Sequence, residues 1–249
     1  MNPSDPGLRL FDRANRARDS GKPALAESCY RQSLALRKRF LGAGHPAVAE
    51  SMNRLASLLS ERSRYAEAEP LYRQSLALRK KTVGPEHRDV ASSLSNLANL
   101  LQGTGRSAEA ARLYRRSLML RKKVYGPRHE NVALCLMNIA IFLQNTGRKL
   151  RAETHFRKAL TMLEQTVGSA HPLAAYARAN LADFLRLTGR GSEAISLAQK
   201  ANRDLGRVLP AKHRYVLWAR HVLKRVLKVA REPNDRSRRN PLNQCRRVK

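Results

Sequence analysis

Apolar positions along the chain follow two nested rhythms. Within short segments they return at i, i+3 and i+4, the spacing that lines one face of an α-helix. Across the chain the whole pattern returns every 42 residues, and side-chain type is held column by column. Small residues form the clearest columns: Ala14, Ala56, Ala98, Ala140 and Ala182 in one, Ala26, Ala68, Ala110, Ala152 and Ala194 in the other. A small side chain at a helix crossing lets two axes approach toward the lower end of the usual ~8–10 Å range. Each alanine pair therefore marks a helical hairpin. Between them stand Gly21, Ser63, Gly105, Gly147 and Gly189, each followed by Lys or Arg. That is the residue type expected where one helix ends in a left-handed backbone.

Large apolar columns complete the buried stripes. Leu55, Leu97, Ile139 and Leu181, with Leu59, Leu101, Leu143 and Leu185, lie on the first helices; Tyr30, Tyr72, Tyr114 and Phe156 lie on the second. The pattern predicts first helices near 8–19, 47–62, 89–103, 131–145 and 173–187. It predicts second helices near 22–40, 65–82, 106–124, 148–166 and 190–206, and a lone last helix over about 215–231. Both ends read as caps. Arg13 replaces the leucine of the first hairpin, and in the last helix Lys224 replaces the small alanine while Leu223 and Leu227 keep the apolar column. The fifth hairpin drifts, with Ala198 in the aromatic column and Asn202 and Asp204 at otherwise apolar places, so it is expected to be the least stable repeat. The expected organisation is an N-terminal tail over 1–7, a helical solenoid over 8–231 and a disordered basic tail over 232–249.

With these columns in place, the stretch "SLSNLANLLQGTGRSAEAARLYRRSLMLRKKVYGPRHENVA", residues 93–133, resembles the tetratricopeptide repeat family, in its longer 42-residue form of the kinesin light chain and nephrocystin-3 type. The resemblance runs over about residues 8–229. It implies an all-α fold, a right-handed α-solenoid of about five helical hairpins with a C-terminal capping helix. It also implies a concave groove, lined by the first helices, that binds an extended peptide or a partner's helix. Stacking physics agrees, since each hairpin can bury its apolar face only against its neighbours.

The groove columns lie one and two places before the leucine column and two and five places after it. They contain Asn53, Arg54, Ser57 and Ser60, then Ser95, Asn96, Asn99 and Gln102, then Met137, Asn138, Ile141 and Gln144, then Ala179, Asn180, Asp183 and Arg186. An amide donates to and accepts from a peptide backbone at once, so Asn96, Asn138 and Asn180 form an expected backbone clamp. The alternative is that these amides bond a neighbouring helix. Arg54 and Arg186 stand too far apart in repeat number to share one carboxylate, which disfavours recognition of a chain terminus. Met137 and Ile141 favour a peptide with an apolar anchor.

Charge adds a second surface. The formal net charge is +30, and only six Lys or Arg and two acids follow Arg231, so most of it lies in the repeats. A field of that size attracts nucleic acid, acidic lipid surfaces or acidic polypeptides. Arg37, Lys38 and Arg39, then Arg79, Lys80 and Lys81, then Arg121, Lys122 and Lys123 fall at the ends of second helices, joined by Arg31, Arg73, Arg115 and Arg157. The helix macrodipole favours cations there, and a continuous ridge would also hold an anionic partner. Against nucleic acid, the ridge lacks interleaved aromatics for stacking.

The histidines His45, His87, His129, His171 and His213 recur at the same interval. Equivalent atoms of neighbouring repeats are separated by roughly 10 Å, whereas imidazoles sharing zinc each need Zn–N of about 2.0–2.1 Å. A structural role in the loop before the next helix is expected, and no metal or other cofactor. Cys29, Cys135 and Cys245 are odd in number and show no CxxC spacing, which fits a reducing, cytoplasmic setting. There is no apolar leader, no membrane-length apolar run, no P-loop, no G-x-G-x-x-G and no HExxH. The sequence reading is thus a noncatalytic interaction scaffold holding a protein or peptide in its groove. The alternative is a nucleic-acid-associated protein using the ridge and tail.

Overall fold

The computed structural model describes residues 5–231, and among these residues it contains eleven α-helices and no strand. They are α1 (Leu8–Asp19), α2 (Pro23–Leu41), α3 (Pro46–Glu61), α4 (Tyr65–Val83), α5 (Arg88–Gly103), α6 (Ser107–Tyr125), α7 (Glu130–Asn145), α8 (Lys149–Val167), α9 (Pro172–Leu187), α10 (Gly191–Val208) and α11 (Arg214–Arg231). The expected tail over 232–249, with Cys245, lies outside the described residues. The chain divides into two compact units, one ending at Val167 and the other beginning at Gly168.

The first unit is four hairpins in chain order, α1/α2, α3/α4, α5/α6 and α7/α8. Ala14, Ala56, Ala98 and Ala140 face Ala26, Ala68, Ala110 and Ala152, all without solvent exposure. Each hairpin turns by the same device. Ser63 (φ 59°), Gly105 (φ 79°) and Gly147 (φ 77°) take the left-handed conformation, and the next residue's N–H closes back onto a carbonyl five places earlier. These bonds are Arg64 N to Leu59 O at 2.9 Å, Arg106 N to Leu101 O at 2.8 Å and Arg148 N to Leu143 O at 2.8 Å. This is the Schellman pattern, which satisfies carbonyls that the helix end leaves open. Arg64 and Arg106 also stand at the N-cap of the following helix, so one residue ends a helix and begins the next.

Bonds the column pattern did not single out tie the two helices of each hairpin together and then join each hairpin to the next. Ser75 Oγ donates to Ala49 O at 2.7 Å, Ser117 Oγ to Ala91 O at 2.7 Å, and Ser33 Oγ to Gly7 O at 2.8 Å, each reaching back 26 residues. One turn later, Arg79 donates to Asp89 O at 3.0 Å and Ser93 Oγ at 2.9 Å, while Arg37 donates to Ala47 O at 3.1 Å and Ser51 Oγ at 2.8 Å. Residues 5–7, expected in a tail, pack onto α2 instead. Asp5 pairs with Arg37 at 2.7 Å, both side chains largely buried, and Arg37 stacks over Phe11. A buried guanidinium requires such a partner, which is why the segment is held.

A second seam, of exposed ion pairs, ties neighbouring second helices. Arg31 meets Glu27 and Glu67 at 3.0 and 3.1 Å, and Arg64 meets the same two at 2.7 and 2.6 Å. One repeat on, Arg73 meets Glu69 and Glu109 at 2.8 and 2.9 Å, and Arg106 meets both again.

The second unit is the hairpin α9/α10 with α11 packed against both helices. Arg178, almost fully buried, donates to Asp204 Oδ2 at 2.8 Å and to Ser169 O at 3.0 Å, which explains the acid at an otherwise apolar place. In α11 the buried face is Val216, Ala219, Val222 and Val226, whereas Leu223 and Leu227 are only half-buried. In other repeats that leucine column packs on its own second helix, and among the described residues none follows α11.

Candidate functional site

The first helices begin where the histidines stand. His45, His87, His129 and His171 are N-cap residues, and each Nδ1 accepts the backbone N–H two residues on: Ala47, Asp89, Asn131 and Leu173, at 3.1–3.2 Å. His213 accepts likewise from Tyr215 N at 3.2 Å. The ring does the work usually given to Ser, Asp or Asn, satisfying an N–H that the first helical turn leaves open. An accepting Nδ1 in a neutral ring places the proton on Nε2. Among the described residues no group of three or more His, Cys, Asp or Glu is placed to hold a metal ion. Cys29 and Cys135 are buried and unbridged.

The groove columns of the first unit come together on α3, α5 and α7. A cleft of about 550 Å³ opens between α3, the end of α4 and α5, lined among others by Glu50, Asn53, Arg54, Arg79, Asp89 and Asn96. Arg54 is exposed, while Asn53 is nearly buried and Asn96 half-buried. Asn96 Nδ2 donates to Asn53 Oδ1 at 3.2 Å, so part of its bonding capacity ties α5 to α3. This is the neighbouring-helix alternative, realised for Asn96. Its Oδ1 and second N–H remain for a ligand.

Asn99 and Gln102 are bound from within the hairpin. The Tyr114 hydroxyl donates to Asn99 Oδ1 and lies 3.2 Å from Gln102 Oε1. Burial raises the Tyr114 pKa, which keeps the hydroxyl a donor. On α7, Asn138, Ile141 and Gln144 are half-exposed and Met137 is buried, so the apolar contact available there is Ile141 rather than Met137. Asn138 makes no side-chain hydrogen bond among the described residues and is the freest amide of the three.

In the second unit the same columns are occupied. Asn180 Nδ2 donates to Tyr176 O of its own helix at 2.8 Å, and Asp183 accepts from Arg186 at 2.9 Å and from Arg225 of α11 at 3.5 Å. Asn180 and Asp183 are nearly buried. Asn180 is thus partly engaged by its own helix and more buried than Asn96 or Asn138.

The ridge is thinner than its sequence suggests. Arg37 is 1% exposed, Arg79 is partly buried in its joint, and Arg121 lies within 3.4 Å of Ser117, Ser92 and the Asn131 carbonyl. Burial lowers the Arg79 pKa. Each of the three reaches a carbonyl at the start of the next hairpin, because guanidinium donors can satisfy it, while Arg79 and Arg121 stay half-exposed. Lys38, Lys81, Lys122 and Lys123 are exposed and Lys80 half-exposed, with Lys123 paired to Glu86 at 2.5 Å.

Sequence reasoning missed Glu50 and Asp89 as cleft residues, and it missed the joint arginines. The joint does leave a signal. Arg37 and Arg79 have Ser51 and Ser93 fourteen residues on, and Arg121 has Cys135; in the second unit Leu205 stands in the arginine column and Ala219 in the serine column. There the arginine and the hydroxyl have both given way to apolar residues.

No described helix is long and apolar enough to cross a membrane. A family model described as tetratricopeptide repeat matches residues 10–81, 53–123, 89–165 and 132–203. Among solved structures, the kinesin light chain-like, nearly identical TPR-like repeats of Podosopora anserina share 22% identity over 83% of this chain and 98% of that one, with a TM-score of 0.63. BtubC (BKLC) from P. vanneervenii shares 21% over 90% of this chain and 84% of its own, with a TM-score of 0.62. A Rap protein, solved in complex with competence and sporulation factor, shares 14% over 89% of this chain and 63% of its own, with a TM-score of 0.71. At these identities the likeness is one of fold. No curated protein sequence matches the chain.

Proposed function

The chain belongs to the tetratricopeptide repeat family, and from that premise we propose that it is a noncatalytic scaffold that binds an extended segment of a partner protein along α3, α5 and α7. The observation that carries this reading is the cleft beside Asn53, Arg54 and Asn96, continued on α7 by Asn138, Ile141 and Gln144. The exposed guanidinium of Arg54, the spare capacity of Asn96, the free amide of Asn138 and the apolar Ile141 supply backbone recognition and one anchor. The Rap protein of similar fold was solved with a bound factor, which supports the scaffold reading in general terms.

The nucleic-acid alternative rests on the ridge, and it has less support because Arg37, Arg79 and Arg121 are spent on the joints between hairpins. A peptide array probed with the purified protein tests the groove. Bound peptides are expected to lose binding in an Asn96→Ala, Asn138→Ala variant and to keep it in a Lys80→Glu, Lys122→Glu variant. The opposite ordering, with steeply salt-dependent binding of random RNA, would replace the proposal with the alternative.

A further inference from the structure

The ion-pair seam has a gap. At the first two joints, each turn arginine and each second-helix arginine meets the same two glutamates: Glu27 and Glu67, then Glu69 and Glu109. At the third joint, between α6 and α8, both arginines are kept as Arg115 and Arg148, but the two acids are replaced by Ala111 and Arg151. Ala111 stands where Glu69 would meet Arg115 four residues on and Arg148 from the next turn. Arg151 stands where Glu109 would close the seam.

Arg115, Arg148 and Arg151 are exposed and make no ion pair among the described residues. Arg112 and Arg116, on the same stretch of α6, are exposed as well. Nearby carboxylates are engaged elsewhere: Glu109 by Arg73 and Arg106, and Glu153 by Arg157 at 2.9 Å. A carboxylate removed with its arginine would leave a neutral surface. Removal of the acids alone leaves the arginines at places whose equivalents one joint earlier hold carboxylates, Arg73 and Glu109 meeting there at 2.9 Å. Beside it, Leu150 is 85% exposed where the other repeats carry Ala24, Ala66, Ala108 and Ser192. An exposed leucine next to three unpaired arginines offers an apolar contact to whatever neutralises them.

We propose that the seam between α6 and α8 docks an acidic segment of a partner protein, whose carboxylates neutralise Arg115, Arg148 and Arg151 as Glu69 and Glu109 neutralise the arginines one joint earlier. The site lies on the second helices and is independent of the groove reading. Fluorescence anisotropy with a labelled oligoglutamate peptide tests it. An Ala111→Glu, Arg151→Glu variant restores the seam of the first two joints and is expected to weaken binding by about tenfold or more. Its thermal midpoint is expected to equal or exceed that of the parent, which separates lost binding from lost structure. A Lys200→Glu, Lys212→Gln variant removes the same net charge elsewhere and is expected to retain binding, as is the Asn96→Ala, Asn138→Ala groove variant. Equal losses in the two charge variants, or no loss when the seam is restored, would overturn the proposal. So would oligothymidylate binding more tightly than oligoglutamate through the same arginines.

Discussion

Arg79 and Ser93 hold two hairpins together, the guanidinium of α4 donating to the hydroxyl of α5 at 2.9 Å. The same arginine donates to the Asp89 carbonyl at 3.0 Å. Removing one member of such a set strands the others without water, whereas replacing all of them with apolar groups of suitable shape can be nearly neutral. The second unit contains the apolar version, with Leu205 and Ala219 in the corresponding columns and in one buried cluster. An Arg79→Ala variant is therefore expected to lose about 1–3 kcal/mol. The double variant Arg79→Leu, Ser93→Ala is expected to lose less, as read by urea unfolding of both.

The histidine caps make a separable prediction. His87→Ala leaves the Asp89 N–H without its side-chain acceptor and is expected to cost about 1 kcal/mol, while His87→Asn supplies another acceptor and is expected to cost less. Thermal unfolding monitored by circular dichroism ranks the two. Equal losses would mean that the ring acts by packing and not as a cap.

Ser63 is the one non-glycine residue with positive φ among those described. Glycine adopts that backbone without the steric cost that a Cβ brings, as Gly105 and Gly147 do in the same column. Ser63→Gly is expected to stabilise the first unit by about 0.5–1 kcal/mol, measured as a higher urea midpoint with an unchanged slope.

Acid should weaken the ion-pair seam. Hydrogen bonds from Arg64 hold the Glu67 carboxyl below its ordinary value of 4.5, and hydrogen bonds from Arg73 do the same for Glu109. A carboxyl whose pKa is lower folded than unfolded stabilises the fold above the ordinary value, and that stability is lost as pH falls through the lowered one. Stability measured from pH 6 down to about pH 3 is expected to fall less steeply in a Glu67→Gln, Glu109→Gln variant. High salt is expected to shrink the difference, since Glu67 is exposed and Glu109 partly so.

The helices, their order and their hairpin turns were legible because they depend on local spacing. Ala56 and Ala68 pack at a crossing, Gly105 turns, and His87 precedes a helix because each obeys a rule within a few residues of itself. Partners across repeats were harder to read. Arg79 and Lys80 look alike in sequence, yet one enters a joint and the other stays at the surface, because the side chain's direction around the helix decides which carbonyls it can reach. Asn96 and Asn138 share a column, but only Asn96 has Asn53 opposite to bond.

The 42-residue period alone was sufficient to establish a chain of stacked helical hairpins, since an amphipathic hairpin repeated in register has no other place to bury its stripe. What tertiary structure decided is which polar groups are free. Asp5 with Arg37, Asp204 with Arg178 and Arg225 with Asp183 lie 32, 26 and 42 residues apart. Hydrogen bonding at that range depends on where backbones pass, and a pattern of side-chain types carries no record of it. The unpaired arginines at 115, 148 and 151 became a site only once the pairs around them were seen to be made.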